Sequence, residues 1–92
     1  MNNSILLVRI IEKPKKINSF LKISVQFIYF SKTFKSAPLN LKIWNEKMQI
    51  EFLKNYKIGD SIIVEGYLNK TNLKFNQNFE FTVNRIIPFW IT

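Results

Sequence analysis

Between Phe20 and Phe30 apolar and polar residues exchange at nearly every step, with Leu21, Ile23, Val25, Phe27 and Tyr29 on one parity and Lys22, Ser24, Gln26, Ile28 and Phe30 on the other. A period of two belongs to a strand whose faces meet different surroundings, so the first set is predicted as core. Leu39, Leu41 and Ile43 repeat the pattern, which turns Asn40, Lys42 and Trp44 outward. The run from Ser4 to Ile11 is almost continuously apolar, as in a strand covered on both faces or shared with a second copy, and Pro14 with its flanking lysines ends it. From Glu46 to Tyr56 the period lengthens: Met48, Phe52 and Tyr56 recur at every fourth position, with Ile50 and Leu53 between them. That spacing predicts a helix, and Asn45 is suited to cap it. Gly59 follows the last periodic position, where a left-handed φ is wanted. The next strand is expected to place Ile62, Val64 and Leu68 inward and Ser61, Ile63, Glu65 and Tyr67 outward, with Gly66 letting it bend. Asn69 to Asn78 reads as a polar hairpin tip, and Phe79 to Asn84 as the final strand.

Five strand runs at short spacing, with one helix between the third and fourth, are the element order of a small Greek-key barrel whose helix plugs one end. The 92 residues contain no linker, repeat or low-complexity tract, so residues 1–92 are expected to form one domain. With 47% hydrophobic residues the chain has material for a core. It has no Cys and no His, which excludes disulfides, thiolate chemistry and the ordinary zinc sites, and no metal or other cofactor is expected. Catalysis has little to stand on: the only Asp is Asp60 in a turn, the five Glu are scattered, and the two glycines form no phosphate-cradling loop. The chain is therefore read as a binding protein and not an enzyme. No stretch approaches the roughly 20 apolar residues of a membrane span, and the start lacks a leader pattern.

Fourteen Lys and Arg against six Asp and Glu give a net charge of +8, which favours a polyanionic partner, although charge also keeps an apolar chain soluble. Single-stranded nucleic acid asks for a cationic groove interleaved with aromatic faces on which bases stack. Trp44, outward beside Lys42 and near Lys22, is the leading candidate; a tryptophan at a strand end can equally cover the barrel floor beside the helix. Phe30 and Phe34 alternate with Lys32 and Lys35 in the loop before the third strand, and Phe75 lies among Lys70 and Lys74 in the hairpin tip. Each phenylalanine could instead fold back onto the barrel, and the lysines could simply be solvated. Tyr67 is a weaker candidate.

The stretch Lys57-Ile58-Gly59-Asp60-Ser61-Ile62-Ile63-Val64-Glu65-Gly66-Tyr67-Leu68 resembles the bacterial single-stranded DNA-binding protein (SSB) family, where a short helix runs through a lysine-glycine-aspartate turn into a valine-glutamate-glycine strand. Leu41-Lys42-Ile43-Trp44-Asn45-Glu46-Lys47, Ile5 to Pro14 and Phe79 to Asn84 are similar to that family's third, first and last strands. The resemblance implies an OB-fold, all-β with one helix between strands 3 and 4 of a five-stranded Greek-key barrel. It also implies non-sequence-specific binding of single-stranded DNA, with RNA possible, in replication, repair or recombination, and assembly as a homodimer or homotetramer. Trp44 inherits a base-stacking role from it by position. Two departures bear on binding: Pro38 and Leu73 stand where the family commonly has tryptophans. Arg9 replaces a glycine after the first strand's valine, and the chain stops at Thr92 without the acidic tip that recruits other replication proteins. A short, tail-less, basic relative is similar to PriB-type and plastid-encoded SSB-like proteins. The rival expectation is an OB-fold scaffold or protein-interaction module that has lost most nucleic-acid binding. Ile, Lys, Asn and Phe make up half of the chain, a bias of AT-rich codons that suggests a plastid origin, with a bacterial cytoplasm as the alternative.

Overall fold

The computed structural model describes residues 3–28, 39–70 and 79–88. Chain order is β1 (Ser4–Ile10), β2 (Lys15–Ile17), β3 (Phe20–Phe27), β4 (Leu39–Ile43), α1 (Glu46–Asn55), β5 (Ser61–Lys70) and β6 (Phe79–Pro88). β1 pairs with both β3 and β5, β5 with β6, β6 with β4, and β4 with β3, so these five strands close on themselves. All these pairs are antiparallel except β4 with β6. A closed five-stranded barrel with one helix is the OB-fold expected from the sequence.

One element was not expected. Lys15–Ile17 forms a short strand on the outer edge of β3, joined to it by a turn over Asn18 and Ser19, with Asn18 at φ 51°. Asparagine is among the few residues that accept this left-handed conformation, which a two-residue hairpin requires. The helix therefore falls between the fourth and fifth strands in chain order, while still preceding the fourth strand of the barrel itself.

The core follows the predicted parities. Leu21, Ile23 and Val25 of β3, Leu39, Leu41 and Ile43 of β4, and Ile62 and Val64 of β5 are buried. Phe52 of α1 enters the same cluster, with Met48 and Tyr56 packed against it, so the helix does plug the barrel. Asn45 caps it, its Oδ1 accepting the Met48 N–H at 3.0 Å. Ile50 and Leu53, expected to support the apolar face, are instead 62% and 56% exposed, and Gln49 is buried in their place. Within one chain β1 is covered on one face only: Val8 and Ile10 are buried, but Ile5 is 67% exposed.

The corner after the helix is tied to β1. Gly59 adopts φ 95°, its N–H donates to the Ile10 carbonyl at 2.8 Å, and Ile10 N–H donates to the Asp60 carbonyl at 3.0 Å. Gly66 meets a different demand, since a Cβ there would lie 1.8 Å from the Thr82 carbonyl oxygen. At this point the register slips: Glu65 pairs with Arg85 and Gly66 with Val83, leaving Asn84 as an extra residue on β6. The bulge flips the parity of β6, so Phe81 and Val83 point inward before it while Ile86 packs on the core after it. The last strand continues to Pro88, beyond the predicted end at Asn84, because Arg85 to Pro88 resume pairing with Glu65 to Ile62 of β5. Leu68, expected in the core, is 51% exposed. β1 reaches only to Ser4, opposite Gly66, so among the described residues β5 has β6 alone as a neighbour beyond that pair, and no described strand closes over Leu68. β5 itself runs to Lys70, two residues into the predicted loop.

Candidate nucleic-acid interface

The outward parity of β3 and β4 places side chains in rows across the sheet. Lys15 pairs with Lys22, and Lys22 with Lys42, so three lysines from three adjacent strands stand side by side. Adjacent strands lie about 4.8 Å apart. Such a row is a band of positive charge running across the strands. Below it, Ser24 Oγ donates to Asn40 Oδ1 at 3.2 Å.

Alongside this row, one same-face step further along β3 and β4, lies an aromatic pair. Phe20 opens β3 on the same parity as Lys22, and Trp44 follows β4 on the same parity as Lys42. The two ring centroids are 4.8 Å apart with planes tilted by 44°, and Trp44 is 50% exposed. Half of Trp44 thus faces solvent. The Lys42 ammonium sits 4.6 Å from the Phe20 centroid and 5.8 Å from that of Trp44, within cation–π range.

Lys42 also has an anionic partner. Its Nζ lies 2.7 Å from Glu80 Oε2, with the two side chains only 20% and 24% exposed. The parallel β4–β6 pairing creates this contact by setting Asn40 opposite Glu80. Of the three lysines, Lys42 is thus partly neutralised where it stands.

The structure brings together Trp44, Lys42 and Lys22 of the predicted site. Phe30, Lys32, Phe34, Lys35, Lys74 and Phe75 lie outside the described residues, as do Pro38 and Leu73. Lys70 ends β5, with its side chain outside the described residues. Tyr67 lies across the same sheet, paired through Thr82 to Lys42, and is half-buried. Sequence reasoning missed Phe20, Lys15 and Glu80. Phe20 was legible, because it shares the parity of Lys22 and Ser24; Lys15 became visible only with the β2 pairing.

Behind the aromatic pair, Gln49 is 3% exposed. Its Nε2 donates to the Ser19 carbonyl at 3.0 Å and to the Ile43 carbonyl at 2.8 Å, and its Oε1 accepts from Lys16 Nζ. Lys16 reaches it because its register partner is the core residue Leu21, which turns Lys16 away from the outer face. Among the described residues no three His, Cys, Asp or Glu side chains gather where they could hold a metal ion.

No protein-family profile matches the chain, and no curated protein sequence matches it significantly. Solved structures do. The SSB domain of a Synechococcus protein superimposes with a TM-score of 0.72 at 26% identity, over 94% of this chain and 93% of that one. A mitochondrial single-stranded DNA-binding protein of S. cerevisiae gives 0.74 at 20% identity, over 94% and 91%. The small single-stranded DNA-binding protein of Streptomyces coelicolor gives 0.68 at 12% identity, over 97% and 95%.

Proposed function

We propose that this SSB-like OB-fold protein binds single-stranded DNA without sequence specificity, across the outer face of β3 and β4. The observation that carries the reading is the Phe20–Trp44 pair alongside the Lys15–Lys22–Lys42 row. Lysines attract the backbone by displacing its counterions, and the exposed Trp44 face offers a stacking surface to any base. The likeness to SSB domains of solved structure supports the same partner. RNA has the same phosphates and stacking faces and is a second ligand of this chemistry. The predicted loop residues Phe30, Lys32, Phe34, Lys35, Lys70, Lys74 and Phe75 would extend the groove at either side. A place in DNA replication, repair or recombination accords with this reading, and the AT-rich bias accords with a plastid. The activity is binding and not catalysis.

Titrating the protein with an oligo-dT strand at low salt while following tryptophan emission tests this. Quenching should appear at micromolar protein and weaken with salt, with a slope of about −1.4 in log K against log salt if Lys15 and Lys22 each displace about 0.7 of a counterion while Glu80 holds Lys42. No response at micromolar protein overturns the reading. The rival, an OB-fold that contacts protein instead, draws support from the Lys42–Glu80 pair, which neutralises part of the face, and it requires that null result.

Self-association is part of the proposal. On the outer face of β1, β5 and β6, Leu7, Ile63 and Ile87 stand opposite one another, and Ile5 is exposed beside the Glu65–Arg85 pair. A second copy would cover this apolar row, giving a dimer or tetramer whose mass sedimentation would report.

A further inference from the structure

We propose that Gln49 is a positioning residue for the stacking platform, a clamp that sets Phe20 and Trp44 against each other. The inference rests on the binding reading above and names the group that makes its aromatic site rigid. The carbonyls that Gln49 holds belong to Ser19 and Ile43, the residues directly before Phe20 and Trp44. One amide nitrogen therefore fixes the backbone immediately behind both rings. Its oxygen is held in turn by Lys16, so both amide donors and one of the two acceptor positions are committed.

The chemistry suits the position. A helix face that enters an apolar barrel ordinarily carries an apolar side chain, and a buried amide is tolerated only when its groups are satisfied. Here the two acceptors come from different places: the turn between β2 and β3, and the end of β4. Neither is tied to the other at this point by the strand ladder, whose last β3–β4 pair is Leu21 with Ile43. Phe20 and Trp44 both lie one residue beyond that pair. Without the clamp, the two aromatics are free to splay, and ordering them is left to the incoming strand. Pre-organisation raises affinity by removing that ordering from the binding step.

The experiment uses Gln49→Met, which keeps length and removes both donors, and Gln49→Glu, which keeps the acceptor for Lys16 but loses the amide donors. Both are made in a Trp90→Phe background, so that emission reports Trp44 alone, and each is read in two ways. In the free protein, acrylamide quenching of Trp44 should increase and its anisotropy fall. With oligo-dT, affinity should drop about tenfold, the order of one lost base stack, at an unchanged salt slope because no phosphate contact is removed. Variants that melt cooperatively and show parental Trp44 quenching overturn the clamp, whatever the nucleic acid does. Variants whose Trp44 loosens while affinity stays parental overturn its role in binding. If the parent itself fails to bind oligo-dT, the proposal falls with the binding reading, and the quenching data show that the clamp was not the reason. If neither variant melts as a folded protein, Gln49 serves the fold alone and the positioning role is overturned.

Discussion

Replacing Glu80 by Gln should tighten binding to single-stranded DNA, against the usual effect of altering a residue inside a binding face. The carboxylate holds Lys42 Nζ at 2.7 Å, and both side chains are about four-fifths shielded from solvent. A phosphate taking Lys42 must displace this partner or sit beside it, roughly 6 Å from a negative charge. At an effective dielectric between the protein-surface and bulk values, that repulsion amounts to roughly 1 to 3 kcal/mol before screening, and physiological salt reduces it toward about 1 kcal/mol. An isosteric amide removes the charge, keeps a polar neighbour and frees the ammonium. The expected gain is therefore about 1 kcal/mol, or roughly fivefold in Kd. Lys42 then becomes a full phosphate ligand, so the salt slope should steepen by about 0.7. Fluorescence titrations of parent and variant with oligo-dT across a salt series measure both quantities. Loss of a partly exposed ion pair should lower folding stability by no more than about 1 kcal/mol, which a denaturant melt checks. Equal affinity and equal slope would refute the reasoning, because Lys42 would then not face the phosphates.

Three further outcomes are expected. Trp44→Ala should weaken oligo-dT binding by at least about 1 kcal/mol while leaving the denaturation midpoint nearly unchanged, since the ring is half exposed; unchanged affinity would place the site elsewhere on the barrel. Gly66→Ala should destabilise the fold by about 3 kcal/mol or more, because its Cβ would lie 1.8 Å from the Thr82 carbonyl oxygen, a backbone atom with no rotamer to change; urea denaturation reads this directly. The Tyr56 phenol is held above its ordinary value of 10.0 by burial and then by the nearby Asp60 charge. The folded state therefore keeps that proton when the unfolded chain releases it, so stability should fall as pH rises above about 10 toward the raised folded value. In Tyr56→Phe that part of the alkaline decline should be absent, as denaturation midpoints at successive pH values would show.

The elements that came through from the residue pattern are those governed by local chemistry. Alternation in β3 and β4 sorted core from surface because a strand's side chains point to opposite faces whatever the strand pairs with. Asn45 and Gly59 could be placed because capping and a positive φ are properties of a few neighbouring residues. Trp44 was read as outward by parity alone, and it is half exposed. Leu68 obeys the same parity and is nevertheless exposed, because burial depends on whether another strand reaches that far, and β1 does not.

What the pattern could not carry is the identity of distant neighbours. Glu80 stands beside Lys42 only because β4 and β6 run parallel in one particular register. The Asn84 bulge, which reverses inside and outside along β6, arises where Gly66 lets the Thr82 backbone approach. Gln49 is buried on the helix face only because the carbonyls of Ser19 and Ile43 stand where its amide can reach them. A side chain's type limits the contacts it can satisfy. Which of those contacts form is set by barrel closure, which brings together groups that the chain itself keeps dozens of residues apart.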